Sequence, residues 1–161
     1  MSQSTPLGRR LKEEIHQQRP FDSPQEEAFL NLLRTTSLLQ QSLARELKTW
    51  RLTPTQYNVL RILRGAHPET LPCQEVGARM VTPQPDVTRL LDRLEARGLV
   101  SRSRDMPDRR VVRATITDEG LGLLVRLDGP VRRWLGDTLG HFARTELGQA
   151  VRFLELARSR V

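Results

Sequence analysis

The chain has few of the residues that cross-link or anchor a protein. It contains one cysteine, Cys73, which excludes an intramolecular disulfide framework and fits a reducing compartment. No apolar run approaches the length of about 18 residues that a transmembrane helix needs, so we expect no membrane partner. Residues 1–10 also lack the apolar stretch of a signal peptide. A cytoplasmic location is therefore expected.

Groups with catalytic or metal-binding spacing are also scarce. His16, His67 and His141 have no zinc-site spacing with one another or with Cys73, and there is no glycine-rich phosphate loop. No arrangement of serine, cysteine and histidine indicates nucleophilic catalysis. We expect no enzymatic activity, no metal and no cofactor. A redox-sensing role for Cys73 stays open, because a helix N-terminus lowers the pKa of a thiol.

Arginine, by contrast, is abundant. The formal net charge is +7 and the sequence pI is about 11.0, while Lys12 and Lys48 are the only lysines. Residues 97–113 hold six arginines and two aspartates. A basic balance favours nucleic acid or an anionic membrane surface as partner. A solvated surface run is the alternative.

A long helical period occupies residues 24–51. Apolar side chains recur at helical spacing from Ala28 to Trp50, which predicts a helix of about seven turns. So long an apolar stripe needs an equally long partner, for which a second subunit is the natural candidate. The polar residues 1–23 are expected to form a flexible extension with a short helix over Leu11 to Gln18 at most.

The centre of the chain predicts three helices and a hairpin. A capping box, Thr53-Pro54-Thr55-Gln56, begins the first helix, which Gly65 ends. Pro72 begins the second helix, and Thr82-Pro83-Gln84-Pro85 begins the third. Two strands, Leu99–Arg104 and Arg110–Ile116, follow with a turn at residues 105–108. Thr117 then caps a helix kinked at Gly129-Pro130, and a last helix contains Leu147, Val151, Leu154 and Leu156.

The segment from Cys73 to Asp92 has helix-turn-helix spacing. Gly77 is small where the two helices would cross, and the shared core is predicted to comprise Val76, Met80, Val87 and Leu90. In this motif the second helix enters the major groove by its N-terminal residues. Val81 departs from the glycine that many such turns contain.

The hairpin that follows this motif predicts a wing. An arm of this kind can place arginine in the minor groove, where the potential is more negative. Asp108 and Arg110 are two residues apart, so they face one side of an extended segment. There the carboxylate could hold the guanidinium towards the groove. An ordinary surface ion pair is the alternative.

Three segments together resemble the MarR family of winged helix-turn-helix regulators. They are Asp92-Arg93-Leu94-Glu95-Ala96-Arg97-Gly98-Leu99-Val100, Asp108-Arg109-Arg110 and Thr115-Ile116-Thr117-Asp118-Glu119-Gly120. The resemblance implies a mainly α fold with a small antiparallel β-hairpin wing. It also implies a homodimer built from the terminal helices, residues 24–51 and 118–161, and a DNA-binding region over residues 53–117. By the family's pattern, Asp108 orients Arg110 into the minor groove of a pseudo-palindromic operator.

The predicted contacts with double-stranded DNA are Arg79, Thr82, Gln84, Asp86, Thr88, Arg89, Arg102, Arg104, Asp108, Arg109 and Arg110. Gln84, Asp86 and Thr88 are predicted to read base edges, since Gln pairs with adenine and Asp accepts from cytosine. Arg89 is either a guanine reader or a phosphate clamp. Arg79 and Thr82 are expected to contact the sugar-phosphate backbone of the DNA. For Asp86, an interaction with the dipole of the helix N-terminus is the alternative role.

The effector is less well defined by the sequence. Many relatives respond to anionic aromatic ligands, and the candidate lining residues here are Phe29, Trp50, Tyr57 and Arg61. The leading interpretation is a homodimeric repressor that such an effector releases from its operator. The alternatives are an architectural DNA-binding protein that senses nothing, a redox-responsive regulator acting through Cys73, and an activator.

Overall fold

The computed structural model describes residues 10–104 and 111–160. The chain divides into two compact units, one ending at Arg45 and one beginning at Glu46. Within the described residues, no helix combines the length and apolar character needed to cross a membrane. The predicted division into an N-terminal extension (residues 1–23) and a single unit of dimerisation helices (24–51 and 118–161) around a DNA-binding region (53–117) stays a prediction.

The first unit consists mainly of the predicted long helix. Helix α1 spans Leu11–Glu14 and helix α2 spans Pro24–Lys48, the last residues of which belong to the second unit. The Ser23 hydroxyl accepts from the backbone N–H of Glu26 at 3.1 Å and so caps α2. Helix α1 is shorter than the expected Leu11 to Gln18, and His16 beyond it has a left-handed φ of 54°.

The second unit contains the predicted order of helices and strands and one further strand. Its elements are α3 (Pro54–Ala66), β1 (Leu71–Pro72), α4 (Cys73–Ala78), α5 (Val87–Glu95), β2 (Val100–Arg104), β3 (Val112–Ile116), α6 (Asp118–Leu139) and α7 (Arg144–Arg158). The sheet is antiparallel with strand order β1-β3-β2, and Leu71 pairs with Ala114 while Val100 pairs with Ile116. Strand β1 was not predicted because two residues, one of them proline, show no alternating pattern.

Two further predicted helix boundaries are wrong, each for a reason that involves proline. Helix α3 continues through Gly65 to Ala66, and its C-cap His67 leaves the helix with ψ 137°. Pro68 follows His67, and a residue before proline is biased away from the helical region. The same bias acts on Thr82 and Gln84, each of which precedes a proline. Helix α5 therefore begins at Val87, after Thr82-Pro83-Gln84-Pro85.

The predicted caps of α3 and α6 are confirmed. Thr53 Oγ1 accepts from the N–H of Gln56 at 3.2 Å, and Gln56 Oε1 accepts from the N–H of Thr53 at 3.0 Å. Thr117 Oγ1 likewise accepts from the N–H of Gly120 at 3.1 Å. Because these side chains satisfy backbone donors locally, the start of each helix is fixed by a short sequence.

The core of the second unit joins the three central helices to the sheet and to α6. Its fully buried side chains include Leu60, Leu63, Leu91, Leu94, Leu124 and Leu127. An ion pair between Arg64 and Asp128, in which Arg64 Nη1 donates to both carboxylate oxygens at 3.0 and 2.9 Å, also connects α3 with α6. A Cβ on Gly120 would overlap the carbonyl oxygen of Leu99, so α6 approaches the start of the wing at a distance that only glycine permits.

Candidate nucleic-acid interface

The predicted helix-turn-helix is present in α4 and α5. A Cβ added to Gly77 would lie 3.0 Å from Val87 Cγ2, which confirms that the two helices approach closely at this glycine. Val76 and Met80 are buried, whereas Val87 and Leu90 are half-buried. Val81 in the turn is 85% exposed, so its side chain takes no part in the packing of the two helices.

Asp86 is the N-cap of α5. Its Oδ1 accepts from the backbone N–H of Arg89 at 2.9 Å, and its Oδ2 lies 3.0 Å from Arg89 Nε. Of the two roles that the sequence left open for Asp86, the structure shows the one at the helix N-terminus. The side chain of Arg89 is nevertheless 79% exposed, and Thr88 beside it is exposed as well.

The loop between α4 and α5 is held by a residue that the sequence analysis did not identify. Asn58 Oδ1, on α3, accepts from the backbone N–H of Val81 at 2.9 Å. In the same loop Thr82 is exposed and Gln84 is half-buried, both ahead of α5 rather than in its first turn. No sequence signal marked Asn58, because its partner lies 23 positions further along the chain.

The arginines predicted to contact DNA differ in their surroundings. Arg79, at the C-terminus of α4, is half-exposed and forms an ion pair with Glu75 at 2.8 Å. Arg104 is exposed at the end of β2. The predicted wing tip, with Asp108, Arg109 and Arg110, lies outside the described residues.

Arg102 on β2 is largely buried and forms ion pairs with two carboxylates of α5. Its Nη2 lies 2.5 Å from Asp92 Oδ1 and 2.6 Å from Glu95 Oε2, and its Nε donates to the same Glu95 oxygen at 2.8 Å. The side chain is 20% exposed. The hydrogen bonds to Glu95, and then those to Asp92, raise the pKa of Arg102 above its ordinary value. The donors of this guanidinium are therefore directed at the protein.

The candidate effector residues differ in exposure and in their local contacts. Phe29 lies on α2 and is 59% exposed, whereas Tyr57 on α3 is 7% exposed. The guanidinium carbon of Arg61 is 5.9 Å from the centre of the Tyr57 ring, a cation–π distance. Trp50 is half-buried, and its carbonyl oxygen accepts from Arg97 Nη2 at 3.3 Å.

Cys73 is half-buried at the start of α4. Burial raises the pKa of its thiol above the ordinary value, although the nearby charge of Arg102 lowers it in part. The raised pKa leaves less thiolate at neutral pH, and thiolate is the species that oxidants attack.

Comparison with known proteins identifies the family. A model described as MarR family matches residues 52–112. A crystal structure of a MarR transcription factor from Planctomyces limnophilus is similar over 85% of this chain and 99% of that one, with 42% identity and a TM-score of 0.67. The structure of AbsC, a MarR family transcriptional regulator from Streptomyces coelicolor, has a TM-score of 0.77 at 19% identity, over 88% and 97% of the two chains, and shows the shared fold.

Curated relatives support the same conclusion over shorter segments. HTH-type transcriptional regulator TtmR of Methylorubrum extorquens is 44% identical over 48% of this chain and 38% of its own length. The uncharacterized HTH-type transcriptional regulator YkoM of Bacillus subtilis is 32% identical over 62% of this chain and 66% of its own length. The chain thus spans less than two thirds of these relatives. The winged helix-turn-helix, the matching family model and the similar crystal structure agree, and the chain belongs to the MarR family of transcription regulators, a class without enzymatic activity.

Proposed function

We propose that the chain is a homodimeric repressor that binds a pseudo-palindromic operator through α5 and the wing, and that a small-molecule effector releases it. The observation that supports this function most directly is the geometry of α5. Its apolar side packs through Leu91 and Leu94, while Thr88 and Arg89 project into solvent from its first turn. A helix presented in this way fits the major groove of duplex DNA.

The proposed readout of bases differs slightly from the one drawn from the sequence. Thr88 and Arg89 are the best placed readers, since both are exposed on the first turn of α5. Gln84 joins them from the preceding loop. Asp86 is assigned to positioning, because its two carboxylate oxygens already face the backbone N–H and the guanidinium of Arg89. We assign contacts with the DNA backbone to Arg79, Thr82 and Arg104. The proposed minor-groove element consists of Asp108, Arg109 and Arg110.

Support for a homodimer comes from the terminal helices. No residue of α7 is buried, and its exposed side chains include Val151, Phe153 and Leu156, which are between 52% and 59% exposed. Helix α2 also exposes Phe29 and Leu33. Apolar faces of this extent on a chain with a basic net charge favour association with a second copy of the chain, which would bury them.

Support for an effector comes from structural neighbours. The organohalide-sensing regulator RdhR-CbdbA1625 was solved with 2,4-dichlorophenol, and the DNA binding of BpsR from Bordetella bronchiseptica is regulated by 6-hydroxynicotinic acid. We propose a small aromatic anion for this chain, with Phe29, Trp50, Tyr57 and Arg61 as candidate contacts. The redox alternative is less favoured, because burial raises the pKa of the Cys73 thiol.

The test is binding to the intergenic DNA beside the gene, measured by fluorescence anisotropy against a scrambled duplex at about 0.15 M salt. We expect a specific dissociation constant of roughly 10⁻⁸ M or tighter. Arg110→Ala and Arg89→Ala should each weaken it, whereas Arg126→Ala, which removes the same charge from an exposed position on α6, should not. Equal binding to both duplexes would favour the architectural protein, and no binding to either would contradict a DNA-binding role.

A further inference from the structure

Arg102 joins the C-terminal half of α5 to the first strand of the wing. Asp92 and Glu95 are three residues apart, so they lie on one face of the helix. The guanidinium of Arg102 contacts both carboxylates at 2.5 to 2.8 Å, and the backbone N–H of Arg102 donates to Glu95 Oε1 at 3.0 Å. We call these three residues the α5–β2 bridge.

The α5–β2 bridge has a geometry that isolated surface ion pairs lack. The arginine side chain is 20% exposed, and its planar guanidinium contacts both carboxylates. The backbone N–H of the same residue donates a further hydrogen bond to the Glu95 carboxylate. A planar guanidinium with several contacts fixes orientation as well as distance, which a single point charge does not. The bridge therefore restricts how β2 can rotate against α5.

Rotation at this place would affect DNA binding directly. Helix α5 is the proposed major-groove element, and β2 ends at Arg104, immediately before residues 105–110 with the proposed minor-groove arginine. Two elements that bind adjacent grooves of one duplex gain affinity when their relative position is already correct. If α5 and the wing could rotate freely against each other, DNA affinity would fall although no contact with the DNA had been removed.

We propose that Arg102 is a positioning residue which, through Asp92 and Glu95, sets the angle between the recognition helix and the wing for specific operator binding. This inference rests on the proposed function, and it replaces the expected contact of Arg102 with DNA. A phosphate contact and a positioning bridge predict opposite results when the carboxylates are neutralised.

The first experiment uses Asp92→Asn/Glu95→Gln, which removes two negative charges per chain and frees Arg102. If Arg102 positions the wing, specific operator affinity falls on the order of tenfold, as expected for a lost contact network. If Arg102 is a phosphate ligand, the freed cation strengthens binding. The control Glu69→Gln/Asp137→Asn removes the same negative charge at two exposed positions and should bind as tightly as the wild type or more tightly.

The second experiment compares Arg102→Met with Arg104→Met in the salt dependence of binding. Loss of a phosphate contact reduces the slope of log affinity against log salt by about 0.9 for each contact. We expect the reduced slope for Arg104→Met alone, while Arg102→Met weakens specific binding at unchanged slope and leaves non-specific binding intact. Arg102→Lys should recover affinity only in part. A reduced slope for Arg102→Met would overturn the proposal.

A measurement without DNA separates this proposal from the proposed function. Hydrogen exchange of the β2 and β3 amides should be faster in Arg102→Met than in the wild type or in Arg104→Met, at matched global stability. Unchanged exchange would overturn the bridge even if the operator is bound. Faster exchange in a protein that does not distinguish operator from scrambled duplex would support the bridge and contradict the proposed repressor.

Discussion

The winged region and helix α7 belong to the same compact unit and are packed very differently. Between Leu52 and Leu127 the helices bury leucines completely, and their polar ends are capped by side chains nearby. Helix α7 buries none of its residues, although it contains Leu147, Val151 and Leu154 at helical spacing. The winged region buries its core within a single chain, whereas helix α7 has an apolar surface that none of the described residues of that chain buries.

This difference separates two sources of stability. Contacts within the winged region form whenever one chain folds, since burial of its leucines needs no second molecule. In the proposed homodimer, burial of the apolar face of α7 depends on association and therefore on protein concentration. Substitutions in the two regions should consequently affect different measured quantities.

The largest effect is expected in the core of the winged region. Leu94 is fully buried, so Leu94→Ala should lower the free energy of unfolding by about 2–5 kcal/mol, since both transfer and cavity terms are lost. Urea unfolding followed by circular dichroism measures this loss. Leu90→Ala on the same helix is the matched control, and it should lose less because Leu90 is only half-buried. Equal losses would contradict the contrast between the two sides of α5.

A smaller effect is expected on association through α7. Val151→Glu places a charge on its exposed apolar face and should weaken the dimer by about 2 kcal/mol, or roughly 30-fold in the dissociation constant. Sedimentation equilibrium measures the change, and Gln149→Glu adds the same charge at a position that is already polar. If both variants associate like the wild type, α7 is not part of a dimer interface, and its exposed apolar face is not stabilised by association.

The smallest effect concerns the reactivity of Cys73. Because burial raises the pKa of its thiol, the folded protein holds less thiolate at any pH below that pKa than the unfolded chain does. Alkylation by iodoacetamide should therefore be slower in the folded protein at pH 7 to 8, and its pH midpoint should lie above that of the chain unfolded in urea. The single cysteine makes the assay specific. A lower midpoint in the folded protein would favour the redox-responsive alternative.

The predictability of the fold follows from how local each signal is. The cap at Thr53, the long helix from Pro24 and the close approach at Gly77 were predicted, since each depends on neighbouring residues or on a regular period. The start of α5 was predicted four positions too early. Threonine before proline resembles a cap, yet Pro83 and Pro85 hold Thr82 and Gln84 out of the helix. The side chain of Asp86 instead caps α5.

The candidate site was predictable in composition and less so in the roles of its residues. Arg89 and Arg102 look alike in the sequence, as arginines of the predicted DNA-binding region, residues 53–117. The fold exposes the first at the start of α5 and directs the second at Asp92 and Glu95. Asn58 was not predicted at all, because the backbone N–H that it accepts from becomes a neighbour only after α3 and the turn pack together.

The sequence by itself determined the order of helices and strands, the caps, the basic charge and the resemblance to one family, since these depend on residue type and on short-range spacing. Only the tertiary structure decided which arginines face solvent and which form ion pairs within the protein. Helix α5 and strand β2 bring Asp92, Glu95 and Arg102 together across a turn. Whether a charged side chain contacts water or an opposite charge therefore depends on how α5 and β2 pack together, and not on the position of the residue in the sequence.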